Sequence, residues 1–288
     1  MGRNRDIPVE IIDVHMHCFT GQSHAAVVAQ SIDKLRRGGL RNIVVVGLVN
    51  TKLDSGTMWN LIPEFVENRG DDNFDEAEDL LELARLADGF ILPFVDTRHM
   101  WGDVSTALHG YLGQGFKGIK GIYLPDDGND IGVRGVPETF GVSLKQYQER
   151  EWEIFSFAKD HDLPVLYHMD SRQYGDVMAA ILKDFPALRI NFPHLGIGRR
   201  TIAPFLDQYP NVFTDIANLL PHMKSNPAGY RDFIMHYPDQ VCFGSDVVLY
   251  QAETALDYKE VVLDLGLPEE IELQVFNGNP TRFLGSAL

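Results

Sequence analysis

Ile11-Ile12-Asp13-Val14-His15-Met16-His17 is the stretch on which the reading of this chain turns. Side chains alternate along a strand, so these residues, read as a strand, place Asp13, His15 and His17 on one face and Ile12, Val14 and Met16 on the other. In a closed parallel barrel the apolar face packs on surrounding helices and the polar face points inward at the catalytic end. Two imidazoles two residues apart can there grip one cation. His-x-His alone is a common accident, so its weight depends on what the other strands carry.

Working outward, short runs dominated by β-branched and aromatic residues predict strands over 9–15, 42–49, 90–96, 118–124, 164–168, 189–194, 212–216 and 241–245. Between them, segments such as 23–37, 74–87, 143–160 and 254–265 repeat apolar residues at three- and four-residue intervals and carry charge on the opposite face, the pattern of crossover helices. Strands alternating with helices, with no Gly-rich phosphate fingerprint after the first strand, predict an α/β fold of the (β/α)8 TIM-barrel type rather than a doubly wound sheet. The length of 288 residues suits one such barrel, so a single domain over 1–288 is expected.

The charge balance narrows the partners. Against 25 Lys and Arg stand 41 Asp and Glu, a net charge of −16 that repels nucleic acid and anionic membranes. Residues 1–6 precede no apolar leader-like stretch, and the longest apolar run, 43–49, is too short to span a bilayer. The expectation is a cytoplasmic protein acting on a small molecule. Cys18 and Cys242 are too few for a disulfide framework and read as small buried hydrophobes. The acidic run 67–73 reads as a solvated lead-in to a helix, while 125–141, rich in glycine, proline and mixed charge, reads as a long loop leaving the fourth strand at the barrel mouth.

Three later strands raise the weight of the histidine pair, since each ends on a ligand-type residue: His168 in Leu166-Tyr167-His168, His194 in Phe192-Pro193-His194, and Asp246 in Phe243-Gly244-Ser245-Asp246. Burying so many polar groups in one mouth is costly unless they are paired or ligated, which favours a shared metal site.

With these residues the chain resembles the amidohydrolase superfamily, in its amidohydrolase-related branch of metal-dependent TIM-barrel hydrolases and decarboxylases. The resemblance spans nearly the whole chain. It runs from Asp13-x-His15-x-His17 through Gly115-Phe116-Lys117-Gly118-Ile119-Lys120, His168, His194-Leu195-Gly196 and Gly244-Ser245-Asp246 to Asn277-Gly278-Asn279-Pro280-Thr281-Arg282-Phe283-Leu284. It implies one divalent metal, usually Zn2+, held by His15, His17, His168 and Asp246, with His194 as a catalytic or substrate-orienting group. The residue types also permit Mn2+, Fe2+ or Co2+. In the physical account the metal lowers the pKa of a water, and Asp246 accepts its proton.

Some superfamily members carry a carboxylated lysine on the fourth strand that bridges two metals. Lys120 is read instead as a group for a substrate carboxylate or a neighbouring acid. Arg98, Tyr123, Arg172 and Asp215 lie at or just after strand ends and are expected to bind substrate, Arg98 as a clamp for an anion. His24, His109, His161 and His236 fall in helical patterns and read as surface or packing residues. The resemblance also brings an expected homodimer. Its leading functional implication is hydrolysis of an amide, lactone or other ester bond by a metal-activated water. The alternatives are non-oxidative decarboxylation of an aromatic or unsaturated acid, and a non-catalytic metal-binding barrel.

Overall fold

Parallel strands need crossover connections, and the helical segments between the predicted strands supply them. The computed structural model describes residues 10–18, 25–47, 55–64, 66 and 76–288. Among these, β1 (Ile11–His17), β2 (Leu40–Gly47), β3 (Ile91–Asp96), β4 (Gly118–Ile122), β5 (Val165–His168), β6 (Ile190–Phe192), β7 (Val212–Asp215), β8 (Val241–Cys242) and β9 (Val247–Val248) pair in parallel in the order β8-β7-β6-β5-β4-β3-β2-β1-β9. The expected helices appear as Ala25–Arg37, Glu76–Leu86, Leu144–Asp160 and Ala252–Asp264. The acidic run 67–73, His24, and the outer ends of the first two predicted strands and helices lie outside the described residues.

The ring closes where the last strand meets the first. Val14 N donates to Phe243 O (3.0 Å), Asp246 N to His15 O (2.7 Å) and Leu249 N to His17 O (2.9 Å). The fold is therefore a (β/α)8 TIM barrel whose eighth strand is split. The predicted strand 241–245 stops at Cys242 and pairing resumes at Val247, because the chain breaks from extended geometry at Asp246, whose φ is 61°. Gly244 fits in this break at the limit of space, since a Cβ there would lie 3.2 Å from His15 Cβ and 3.3 Å from Asp215 Cβ.

The face assignment for β1 also changes. Asp13 pairs with Ile43 and Met16 with Val45, so two residues of β1 span what one residue of β2 spans, which is a β-bulge. Ile12 and Val14 lie in the barrel interior with Val44, Val46, Leu92, Phe94, Leu166, Phe213 and Cys242. Met16 packs with the outer core under the helices. Strict alternation fails at the bulge, so Asp13 does not share the face of His15 and His17.

Phe283, Leu284 and Ala287, from the helix Asn279–Leu284 and the turn after it, complete the interior cluster and plug the amino-terminal end. The Phe283 ring stands 5.8 Å from Phe213 and 6.5 Å from Phe94. Gly118 is required beneath Phe94, whose ring lies 2.3 Å from where a Cβ would be. Several helices on the outer wall carry side-chain caps. Asp103 accepts from Thr106 N ahead of Val104–Gln114, and Ser143 and Gln146 form a reciprocal capping box ahead of Leu144–Asp160. No helix among the described residues is long and apolar enough to cross a membrane. Cys18 and Cys242 are both buried.

Phe283→Ala should lower stability by about 3–5 kcal/mol through loss of the plug, read as a reduced urea midpoint; a loss below about 1 kcal/mol would show that the plug contributes little.

Candidate metal centre

The bulge and the split strand meet at the barrel mouth, and there the polar side chains converge. His15 Nε2 and His17 Nε2 lie 3.1 and 2.9 Å from the same carboxylate oxygen, Asp246 Oδ1. His194 Nε2 lies 4.0 Å from Asp246 Oδ2. Ring to ring, His17 stands 5.3 Å from His15, His15 5.2 Å from His194, and His194 5.2 Å from His168, a row of four imidazoles across the mouth. The Lys120 ammonium reaches into this row, with Nζ 3.5 Å from His15 Nε2.

Backbone and buried acids hold the row in place. Asp13 Oδ1 accepts from His15 N (3.0 Å) and Ser245 N (3.2 Å), tying the bulge of β1 to the break in the eighth strand. Asp215 Oδ1 accepts from His194 N (2.9 Å) and Ala217 N (3.1 Å), while its Oδ2 faces His15 Nδ1 at 3.4 Å, too loosely aligned for a closed hydrogen bond. His194 Nδ1 lies 2.8 Å from Ala217 O. A carbonyl can only accept, so Nδ1 carries a proton and Nε2 is the nitrogen turned to the mouth.

Burial and neighbouring charge set the ionisation. Burial, with Lys120 nearby, pushes His15 down to about 3, so its imidazole is neutral. Burial opposes the charged form of Asp246, but His15, the hydrogen bond to His17 and the nearby His194 override it and hold the carboxyl well below its usual range. Burial raises Asp13 to about 7 against the hydrogen bonds it accepts. Burial also lowers Lys120 to about 8, and among the described residues no carboxylate comes within ion-pair distance of it. The neutral imidazole of His15 beside the ionised carboxylate of Asp246, with the other imidazoles of the row, makes a donor set that suits a divalent cation. The ligand atoms of His15, His17 and Asp246 lie within 4.8 Å of one another, as do those of His15, His194 and Asp215.

The remaining predicted residues divide. His168 ends the row, and its Nε2 lies 2.9 Å from Asp130 Oδ2, on the loop after β4. Arg98 is buried, with Nε and Nη2 donating to Asp96 and Nη1 to Leu61 O, so the fork that would clamp an anion is already occupied by Asp96. Tyr123 is buried, its hydroxyl accepting from Gln148 Nε2 and its ring 5.0 Å from Tyr174 and 5.6 Å from Tyr147. Arg172 is paired with Asp170 yet half-exposed at the rim. Asp215, expected to touch substrate, instead orients His194 and faces His15. Asp130 and the structural role of Asp13 were not read from the sequence; Asp130 lies in an acid-rich loop where no spacing rule singles it out.

A parallel (β/α)8 barrel with a histidine and aspartate cluster at the carboxyl ends of its strands defines a fold of the metal-dependent hydrolase type. The amidohydrolase family model matches residues 12–286, and the chain belongs to that family. No curated protein sequence matches it. Among solved structures it is similar to a probable 2-pyrone-4,6-dicarboxylic acid hydrolase from Acinetobacter baumannii, at 14% identity over 96% of this chain and 99% of that one, with a TM-score of 0.63. It is also similar to a TIM-barrel protein from Bordetella bronchiseptica, at 15% identity over 96% and 99% of the two chains (TM-score 0.65). A TatD homologue from Escherichia coli K12 matches at 18% identity over 96% and 98% (TM-score 0.62). At such identities the likeness shows the fold.

Lys120 generates a test in metal-free protein. Between pH 8 and its usual 10.5 the unfolded chain binds more protons at Lys120 than the folded chain does, so the burial penalty is full below pH 8 and fades as pH rises. Lys120→Met should therefore stabilise the metal-free protein at pH 7 by up to roughly 3 kcal/mol, each pKa unit being worth about 1.4 kcal/mol, with the advantage shrinking by pH 10. Urea titrations at both pH values check this; a constant or growing advantage would refute it.

Proposed function

We propose that the chain is a hydrolase that opens an amide, lactone or other ester bond of a small polar substrate, with one divalent cation, Zn2+ by preference, held by His15, His17, His168 and Asp246. The observation that carries this reading is the convergence of His15 Nε2 and His17 Nε2 on Asp246 Oδ1, in a set where the imidazole of His15 is neutral and the carboxylate ionised. A bound cation supplies Lewis acidity at this point, lowering the pKa of water and polarising a carbonyl.

The chain's own side chains supply the rest. Asp246 Oδ2, free of the two imidazoles on Oδ1, is the oxygen placed to accept a proton from the attacking water. His194, fixed by Ala217 O and by the Asp215 bond to its backbone, places its Nε2 at 4.0 Å from that oxygen and orients the water or relays its proton. Lys120, buried without an acid partner among the described residues, favours a substrate bearing a carboxylate, and Arg172 at the rim is the cation left to meet it on entry. Decarboxylation of an aromatic or unsaturated acid would draw on the same groups, and the carboxylate preference keeps it as the second reading.

Elemental analysis of purified protein should find about one divalent transition metal per chain, lost in His15→Ala. His15→Ala and Asp246→Ala should abolish turnover of the best lactone, amide or carboxylated ester, while His236→Ala, exposed at the end of the helix Pro227–His236, should leave it unchanged. Full activity in Asp246→Ala would sink the proton-acceptor role, and release of CO2 from the best substrate would replace hydrolysis with decarboxylation.

A further inference from the structure

The loop after β4 is built more firmly than its composition suggests. Asn129 is buried at its centre, its Oδ1 accepting from Ile131 N (3.2 Å), Gly132 N (3.1 Å) and Val133 N (3.4 Å) and its Nδ2 donating to Asp126 O and Val133 O, each at 2.8 Å. Asp127 Oδ1 accepts from Gly135 N at 2.7 Å and Asp126 Oδ1 from Gly128 N at 2.7 Å, so the segment on both sides of residue 130 is pinned. Arg134 N donates to Asn60 O, which ties the loop to the chain following β2.

From this frame a single carboxylate is delivered to a histidine of the row. Asp130 Oδ2 lies 2.9 Å from His168 Nε2. An ionised carboxylate can only accept, so the ring proton is on Nε2 and the lone pair of the neutral imidazole is on Nδ1. The His168 ring makes no other hydrogen bond among the described residues, and it stands 5.2 Å from that of His194, within the array that ends at Asp246. A histidine that binds a metal through one nitrogen commonly donates its other N–H to a carboxylate, which fixes tautomer and ring orientation and raises its basicity.

We propose that Asp130 is the positioning residue of His168: by accepting the Nε2 proton it holds the ring in the tautomer that presents Nδ1 as a cation ligand, so that the loop after β4 governs how tightly the centre is loaded. This rests on the metal reading above. It differs from that reading in assigning a role to the loop, and the two fail separately.

The test uses metal-free full-length protein titrated with Zn2+ against a chromophoric chelator. Asp130→Ala should bind about 10- to 100-fold more weakly than the unsubstituted protein. Asp130→Asn, whose amide oxygen accepts the same hydrogen bond, should bind more tightly than Asp130→Ala. Asp127→Ala removes a loop contact remote from His168 and should change affinity less than about threefold. Long-range proton–nitrogen NMR of metal-free protein should show His168 as the Nε2–H tautomer, with that preference lost in Asp130→Ala. Unchanged Zn2+ affinity in Asp130→Ala, alongside loss of binding in His15→Ala, would overturn the proposal and leave the metal reading intact. An equal loss in Asp127→Ala would also overturn it, since the loop's shape and not the carboxylate would then be responsible. Retention of Zn2+ by His15→Ala would bring down both.

Discussion

The barrel mouth depends on the seam where β1 meets the split eighth strand, and one carboxylate oxygen holds both sides of that seam. Asp13 Oδ1 takes the N–H of His15, inside the bulge, and the N–H of Ser245, inside the break. The bulge lets Val14 fill the interior while His15, one residue later, reaches Asp246; the break lets Asp246 turn back over His15 and His17, with its own N–H on His15 O. A regular ladder on either side would give up one of these placements. Asp13 is fully buried and pushed up to about 7, so the seam is kept at an electrostatic cost that its two N–H partners only partly offset.

Charge organises the mouth at a second level. The chain carries a net −16, yet three acids in the centre each face an imidazole: Asp246 the pair on β1, Asp215 His15, Asp130 His168. Lys120 is the exception, a buried cation with no acid at ion-pair distance among the described residues. Burial disfavours its charged form, and a cation held by His15 would disfavour it further. Its charge would be favoured by an anion arriving from outside, which is the basis of the carboxylate preference proposed for the substrate. Arg98, which looked from the sequence like the anion clamp, has its Nε/Nη2 fork on Asp96 and Nη1 on a backbone carbonyl, within the wall of the barrel.

Much of this was legible in the chain itself. Strand positions and crossover helices follow from hydrophobic period, and the residues closing β1, β5, β6 and β8 were identifiable because a parallel barrel turns its strand ends into one surface. What escaped was local departure from period. Alternation assigns Asp13 to the face of His15, and only the pairing of Asp13 with Ile43 and Met16 with Val45 reveals the inserted residue. Asp246 reads as the end of a continuous strand until its φ of 61° shows that the strand has stopped. Asp130 escaped for another reason: its partner is 38 residues away, across a loop whose shape is set by Asn129 and not by any repeat.

The distribution of backbone strain follows the same division between the two ends of the barrel. Of the seven non-glycine residues with left-handed φ among the described residues, five follow strand carboxyl ends, His194, Leu195 and Ile197 after β6, Asn218 after β7 and Asp246 after β8, while Asp88 and Asp162 sit in the turns ahead of β3 and β5. Each costs on the order of 1 kcal/mol or more, and a β-branched residue such as Ile197 tolerates it least. Such conformations persist where surrounding contacts over-determine them, and here Asp215 does so by binding the N–H of His194 and Ala217 together. At the opposite end the interior is apolar and packed under Phe283. A strand that ended in relaxed geometry would carry its last side chain along its own axis; a strained turn swings it across the mouth. Packing at the amino end supplies stability that helps offset this strain, and the strained turns set His194 and Asp246 beside the histidines that β1 and β5 carry.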